Sequence, residues 1–299
     1  MYYYLVVGIS LGIMVILALS INIITGYAGQ PTLGHAAFLG IGAYASALLT
    51  TTHGLSFWLA LPLSALIAAT IGFVVGLASL RVRADFLAIT TMGINFVVVA
   101  VFLYSPYFGG ALGIGNIPAP VILGSKLGKP GYLVLVIIAA ALTALFCRLL
   151  ERSWAGLALG AIRDDETAAE AMGIDVRKSK LLAFVLGTGL AGMAGSLYAH
   201  HITFISATDF GFPFSMTILT MAVFGGLGTI SGAVAGALVL GLAPEVFRPI
   251  AEYRMLVYGA LLVIMMMFQP AGLLGRGSYV SRLLGRRSRG KGVEIGGAS

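Results

Sequence analysis

The stretch Tyr2-Tyr3-Tyr4-Leu5-Val6-Val7-Gly8-Ile9-Ser10-Leu11-Gly12-Ile13-Met14-Val15-Ile16-Leu17-Ala18-Leu19-Ser20-Ile21-Asn22-Ile23-Ile24 contains no charged side chain. Crossing a hydrocarbon core of about 30 Å takes about 20 mostly apolar residues in a helix, so this run is long enough to span a membrane. A secretory signal would start with basic residues and end at a small-residue cleavage site. No basic side chain precedes this run, and it therefore reads as a retained span. The rings of Tyr2, Tyr3 and Tyr4 suit the boundary between lipid and water.

The rest of the 299-residue chain repeats the pattern: 59% of its residues are hydrophobic and only 10% are Asp, Glu, Lys or Arg. A soluble domain carries about 25% charged residues. Mean hydropathy is +1.00. This composition cannot supply the polar surface of a water-soluble fold. It excludes an ordinary cytoplasmic enzyme, a disordered protein and a nucleic-acid-binding domain, despite a net charge of +7. The single cysteine, Cys147, excludes a disulfide framework and any multi-cysteine metal site.

Apolar runs place candidate spans at 2–24, 31–50, 57–80, 86–104, 131–150, 181–204, 214–228, 231–247 and 253–269. The expected fold is an all-α integral membrane protein, a polytopic bundle of about 8–10 transmembrane helices. The short seventh and eighth spans flank Gly225-Gly226-Leu227-Gly228-Thr229-Ile230-Ser231-Gly232 and read as two crossings or as one re-entrant hairpin. Small residues four apart share a helix face and let backbones approach closely. Gly72/Gly76, Gly187/Ala191/Gly195 and Gly228/Gly232/Gly236 follow that spacing.

Basic residues set the expected orientation. Arg81 and Arg83 follow the third span, and Arg148, Arg152, Arg163, Arg177, Lys178 and Lys180 follow the fifth. More basic residues, from Arg276 to Lys291, crowd the tail. Alternating crossings put all of them on one side and leave Lys126, Lys129, Arg248 and Arg254 on the other. Cytoplasmic loops hold the Lys/Arg excess, so the C-terminus is expected inside and the N-terminus outside. The chain divides into a transmembrane unit, 1–275, and a basic, disordered cytoplasmic tail, 276–299.

Charge deep in lipid is costly and usually functional. Here Asp85, Glu151, Asp209, Glu245 and Glu252 all fall at span ends or in loops, so no intramembrane carboxylate relay is expected. Gly124-Ser125-Lys126-Leu127-Gly128-Lys129 has the wrong spacing for a phosphate-binding loop. Energy for uphill movement would have to come from another polypeptide. Gly29 and Pro31 interrupt regular helix within Gly26-Tyr27-Ala28-Gly29-Gln30-Pro31-Thr32-Leu33-Gly34-His35. Irregular backbone at membrane depth tends to line a cavity. Gln30, Thr32 and His35 are therefore candidates for a substrate pathway, the alternative being a solvated interfacial loop. Asn95 and Asn22 are further candidates. His200 and His201 diverge by about 100° on a helix, cannot chelate one metal together, and are expected at the interface.

The segment of about 153–176 is too polar to span. Asp164 suits an N-cap, and Asp165 and Glu166 suit the positive first turn of a short helix. Ala168 and Met172 share a face of it. Gly173 can end the helix in the left-handed conformation, and Asp175 can cap the helix that follows. A short capped helix joined stiffly to a span can pass on force from a cytoplasmic partner.

The run Ala161-Ile162-Arg163-Asp164-Asp165-Glu166 through Ala168-Ala169-Glu170-Ala171-Met172-Gly173-Ile174 resembles the cytoplasmic coupling loop of ATP-binding-cassette importer permeases, in their branched-chain amino acid branch. Gly26–Tyr44, Val223–Gly236 and the run from Glu252-Tyr253-Arg254 to Leu274 match in the family's order. Of the two permeases such importers pair, the chain resembles the M-type partner. The resemblance implies a non-catalytic permease subunit in the bacterial inner membrane, forming half of the pathway for hydrophobic L-amino acids. It implies a second homologous permease, a periplasmic or lipid-anchored binding protein and two ATPase subunits, with ATP and Mg held by the ATPases and no cofactor or metal here. Carried onto this sequence, Arg163, Asp164, Asp165, Glu166, Glu170, Ala171 and Gly173 would meet the ATPase. Related importers carry urea, short-chain amides or sugars. A self-sufficient secondary carrier or channel is the alternative from a different class.

Overall fold

The computed structural model describes residues 2–79, 84–122 and 125–246, together with Leu256, Gly259, Ala260, Val263, Met267 and 272–274. The expected ninth span, 253–269, lies largely outside the described residues. So do Arg81, Arg83, Arg248, Glu252, Arg254 and the tail 276–299.

Ten α-helices occur among the described residues: α1 (Tyr2–Ile21), α2 (His35–Thr51), α3 (Phe57–Ser79), α4 (Ala84–Tyr104), α5 (Lys129–Arg152), α6 (Trp154–Asp164), α7 (Glu166–Ala171), α8 (Val176–Ile202), α9 (Phe212–Gly225) and α10 (Ile230–Val246). Strands β1 (Val121–Ile122) and β2 (Ser125–Lys126) form a small antiparallel ribbon between α4 and α5. Among the described residues, six stretches are long and apolar enough to cross a membrane: Tyr2–Tyr27, Phe57–Ala78, Phe86–Tyr104, Lys129–Arg152, Val176–Ile202 and Ala207–Gly225. The chain is an all-α, multi-pass membrane protein. Its periphery is apolar where lipid would lie: Leu66 and Val74 of α3, Ile89 and Val97 of α4, and Val134 and Leu142 of α5 are all exposed.

In lipid, apolar surface gains nothing by moving from tails to a neighbouring helix, so close packing must hold the bundle together. The long helix α8 is the hub, and its small residues are the contact points. A Cβ on Gly187 would strike Ser20 of α1 and Ile24 just beyond it, and one on Gly195 would strike the Leu39 carbonyl of α2. Gly72 and Gly76 bring α3 against Thr188, Leu181 and Phe184 of α8. Two of the expected small-residue series thus pack helices. In the third, Gly232 and Gly236 of α10 abut Gly225 of α9, but Gly228 stands in the turn before α10 at φ +78°. The four-residue spacing does not put Gly228 on the helix face, because the helix starts at Ile230.

α9 and α10 form a helical hairpin of 14 and 17 residues. The span expected at 31–50 starts at His35, since residues 28–34 are not helical. α2 is buried on nearly every side, and its sequence carries no charged side chain.

Candidate functional site

The discontinuity between α1 and α2 builds the first half of the site. α1 runs on into a π-helix at Asn22–Tyr27, a rare form that is frequent at functional sites. Beyond it, the Gln30 amide N–H donates back to the Ile24 carbonyl at 3.1 Å and the Thr25 hydroxyl donates to the Gln30 carbonyl at 3.1 Å. The Leu33 amide donates to Thr91 Oγ1 of α4 at 3.0 Å, and the Ala36 amide donates to Ser215 Oγ of α9 at 2.9 Å. Freed backbone groups of the break are thus met by side chains of neighbouring helices, as membrane depth demands.

All four expected pathway residues are buried: Gln30 is 4% exposed, Thr32 1%, and His35 and Asn95 0%. The reading of Gln30, Thr32 and His35 as a solvated interfacial loop is therefore corrected. Ser20 donates its hydroxyl to the Leu17 carbonyl at 2.7 Å and lies 2.6 Å from His35 Nε2. With that hydrogen committed, Nε2 carries the ring hydrogen and Nδ1 is left as an acceptor. His35 Nδ1, Gln30 Oε1 and Asn95 Oδ1 are all buried without a hydrogen-bond partner. Asn95 Nδ2 donates to the Phe210 carbonyl at 3.0 Å, one turn along α4 from Thr91. Thr32 stays local, with its hydroxyl 3.5 Å from the Gly34 amide. Beyond Phe210, Tyr44 stacks on Phe102 with centroids 4.1 Å apart and meets Phe108 and Phe210 edge-on.

Asn22 is bound more fully than a lone intrahelical amide. Its Oδ1 accepts from the Gly228 amide at 2.8 Å and its Nδ2 donates to the Thr229 carbonyl at 3.2 Å. It clasps the glycine-rich turn between α9 and α10.

The second half of the site is the segment α6–α7. The structure resolves two helices where one short helix is expected. Asp165, not Asp164, is the N-cap of α7: its Oδ1 accepts from the amides of Thr167 at 2.9 Å and Ala168 at 3.0 Å. Asp164 is instead the last residue of α6. These donors hold the Asp165 carboxyl below its ordinary range. The buried face runs through Ala169, packed with Ile162 and Val176; Ala168 is exposed and Met172 is 83% exposed. The break at Asp165 rotates α7 so that Ala169 turns inward. Gly173 stands at φ +86° with open space around it, so its left-handed backbone is what requires glycine. Asp175 caps α8 through the Lys178 amide at 3.0 Å, and this donation holds its carboxyl low as well.

Glu166 pairs with Lys180 of α8 at 2.5 Å. Lys180 is a site residue with no signal in the sequence, because 14 positions separate the partners. Glu170 and Ala171 are exposed. Arg163 Nη1 donates to the Gly26 carbonyl at 2.6 Å, joining α6 to the π-helix. A cleft of about 990 Å³ opens beside the turn, lined by Arg148, Glu151, Arg152, Leu157, Thr229 and Ser231 among others.

His200 and His201 are buried, not interfacial, because residues 114–118 fold over the end of α8 through the Ile114–Ile205 bridge. They diverge as expected. His200 meets Ser46 Oγ at 3.0 Å and the Pro118 carbonyl at 2.7 Å, and the His201 ring stacks on Tyr132.

Residues 3–266 match the family described as the branched-chain amino acid transport system / permease component. The chain is 36% identical over 288 residues to the high-affinity branched-chain amino acid transport system permease protein LivM of Escherichia coli (strain K12), covering 88% of this chain and 68% of that protein. It is 26% identical over 320 residues to the probable branched-chain amino acid transport permease protein LivM of Methanocaldococcus jannaschii, covering 88% and 90%. A 123-residue stretch is 36% identical to the permease protein LivH of Escherichia coli (strain K12), covering 40% of each chain. No solved structure matches. A multi-pass helical bundle with a helical break at its centre, matched along most of its length by these permeases, belongs to the branched-chain amino acid transport system permease family.

Proposed function

We propose that the chain is the membrane-spanning, non-catalytic permease subunit of an ATP-binding-cassette importer for branched-chain L-amino acids. It pairs with a second, homologous permease in a bacterial inner membrane, with its C-terminus cytoplasmic and its N-terminus outside. Two ATPase subunits, which hold the ATP and Mg, dock on the segment 153–176, and a binding protein delivers substrate at the opposite face.

The observation that carries this reading is the build of α6–α7. Caps at Asp165 and Asp175 and the Glu166–Lys180 pair fasten a short polar helix to α8. α8 in turn touches α1, α2 and α3 through its small residues. A push on α7 therefore reaches the helices around the pathway. Asp164, Glu170, Ala171 and Met172 present the surface to the ATPase, while Asp165, Glu166 and Gly173 shape it. On the pathway side, Gln30, Thr32, His35 and Asn95 line the route. The bare acceptors Gln30 Oε1, His35 Nδ1 and Asn95 Oδ1 each offer a polar group of the substrate, such as its α-ammonium, a hydrogen-bond partner.

The test is uptake of labelled leucine, urea and ribose by vesicles holding the full complex. Leucine uptake that requires ATP and the binding protein is the expected result. ATP-driven uptake of urea or ribose alone would move the substrate class. Uptake by this chain alone without ATP would replace the reading with a secondary carrier.

A further inference from the structure

We infer that Arg163 is a positioning residue that locks the coupling segment to the broken helix of the pathway, and does not serve as an ATPase contact. This inference rests on the ATP-driven reading above. The guanidinium leaves α6 and donates through Nη1 to the Gly26 carbonyl at 2.6 Å, within the π-helix that ends α1. Carbonyls at a helix end lack intrahelical donors and carry the negative end of the helix dipole, so a permanent cation suits this position.

Arg163 is exposed on one side, and glycines flank the other. A Cβ added to Gly29 would lie 3.4 Å from Arg163 Cγ, and one added to Gly228 would run into Nη1 itself. Gly26 has no room either, since its Cβ would meet Asn22 Oδ1 and the Gly228 nitrogen. Asn22 then binds Gly228 and Thr229, and the Thr229 hydroxyl donates to the Gly226 carbonyl at 3.0 Å, with the Leu274 carbonyl 3.3 Å away as a second acceptor for the same hydrogen. One cation thus ties α6 to the π-helix across 137 positions, and Asn22 of that π-helix holds the α9–α10 turn. The Glu166–Lys180 pair links α7 only to α8. Arg163 supplies a second, independent line of force, leading to the π-helix just before the break that holds Gln30.

The experiment uses the whole complex with the variants R163A, R163K and G228A. The readouts are co-purification of the ATPase subunits, ATP hydrolysis stimulated by loaded binding protein, and leucine molecules imported per ATP hydrolysed. Expected are R163A complexes that still assemble but import about tenfold fewer leucines per ATP, the scale of one charge-assisted hydrogen bond. R163K, whose ammonium can give one bond to the same carbonyl, should restore part of the ratio. G228A, outside the coupling segment, should lower the ratio as well, through the clash of its methyl group with Nη1 and the strain of alanine at φ +78°. An unchanged ratio in R163A overturns the inference. Loss of ATPase binding in R163A, with hydrolysis and import falling in parallel, also overturns it and returns Arg163 to the ATPase surface. Should R163A not accumulate in the membrane, a normal ratio in both R163K and G228A overturns it. ATP-independent import by the wild-type complex would instead defeat the underlying reading, whatever the variants do.

Discussion

Ser20 Oγ and His35 Nε2 lie 2.6 Å apart, which sets the first turn of α2 level with a residue well before the end of the α1–π-helix unit at Tyr27. Seven residues of helix correspond to about 10 Å. The chain therefore leaves α1, turns back into the bundle through residues 28–34 and starts α2 at depth. A polar break inside a lipid-embedded bundle persists only where side chains replace the missing backbone partners, and Thr91 and Ser215 do so here.

Removing the Ser20 hydroxyl leaves the His35 ring with no partner on either nitrogen, since Nδ1 has none already. S20A should destabilise the protein by about 1–3 kcal/mol, the cost of stranding a buried polar group. The double variant S20A/H35L, which removes both partners, should cost less than the sum of S20A and H35L. Thermal unfolding in detergent measures both, and additive losses would show that the pair does not interact.

Gln30 separates fold from transport. Its Oε1 is buried and unpartnered, so the near-isosteric Q30L relieves an unmet acceptor and should leave stability unchanged or raised. If that oxygen receives the substrate ammonium, leucine import should still fall by about tenfold through a raised KM. Normal import in a stable Q30L variant would remove Gln30 from the pathway.

Gly42 of α2 faces Gly192 of α8 backbone to backbone, and a Cβ at Gly42 would strike the Gly192 carbonyl. Rigid backbone cannot yield as a side-chain tip can, so G42A should cost about 1–3 kcal/mol as an overpacked contact. G160A is the control: that position has open space, and alanine favours helix there. Equal thermal stability of the two variants would contradict the close α2–α8 packing.

Asp165 gives α7 a pH dependence of defined sign. Amide and hydroxyl donors favour its ionised form and lower its pKa from 3.8. A depressed folded value means that the cap contributes fully above the ordinary aspartate range and is lost as pH falls through the lowered value. Amide exchange at Ala168 and Ala169, corrected for intrinsic rate, should show constant protection from neutral pH down to that range and fraying only below it. D165N keeps an oxygen acceptor at the cap and should abolish the acid transition. A transition near neutral pH would assign the switch to another group.

Local chemistry made much of this molecule legible from the chain alone. Apolar run length marked the six stretches of membrane-crossing length among the described residues, because a bilayer sets a minimum length that sequence cannot hide. Gly173 and Asp175 were readable because a left-handed helix end and an N-cap act over at most three or four residues. The cap at α7 was displaced by one position, since Asp164 and Asp165 offer the same carboxylate and the choice between them rests on burying Ile162 and Ala169 together. Four decisions belonged to the tertiary structure: the depth of α2, the grip of Asn22 on Gly228, the pairing of Glu166 with Lys180, and the turn of Arg163 toward Gly26. Each joins residues 14 to 206 positions apart. Such contacts leave no periodic trace in one sequence, because they are set by how whole helices approach one another and by which small residues let them close.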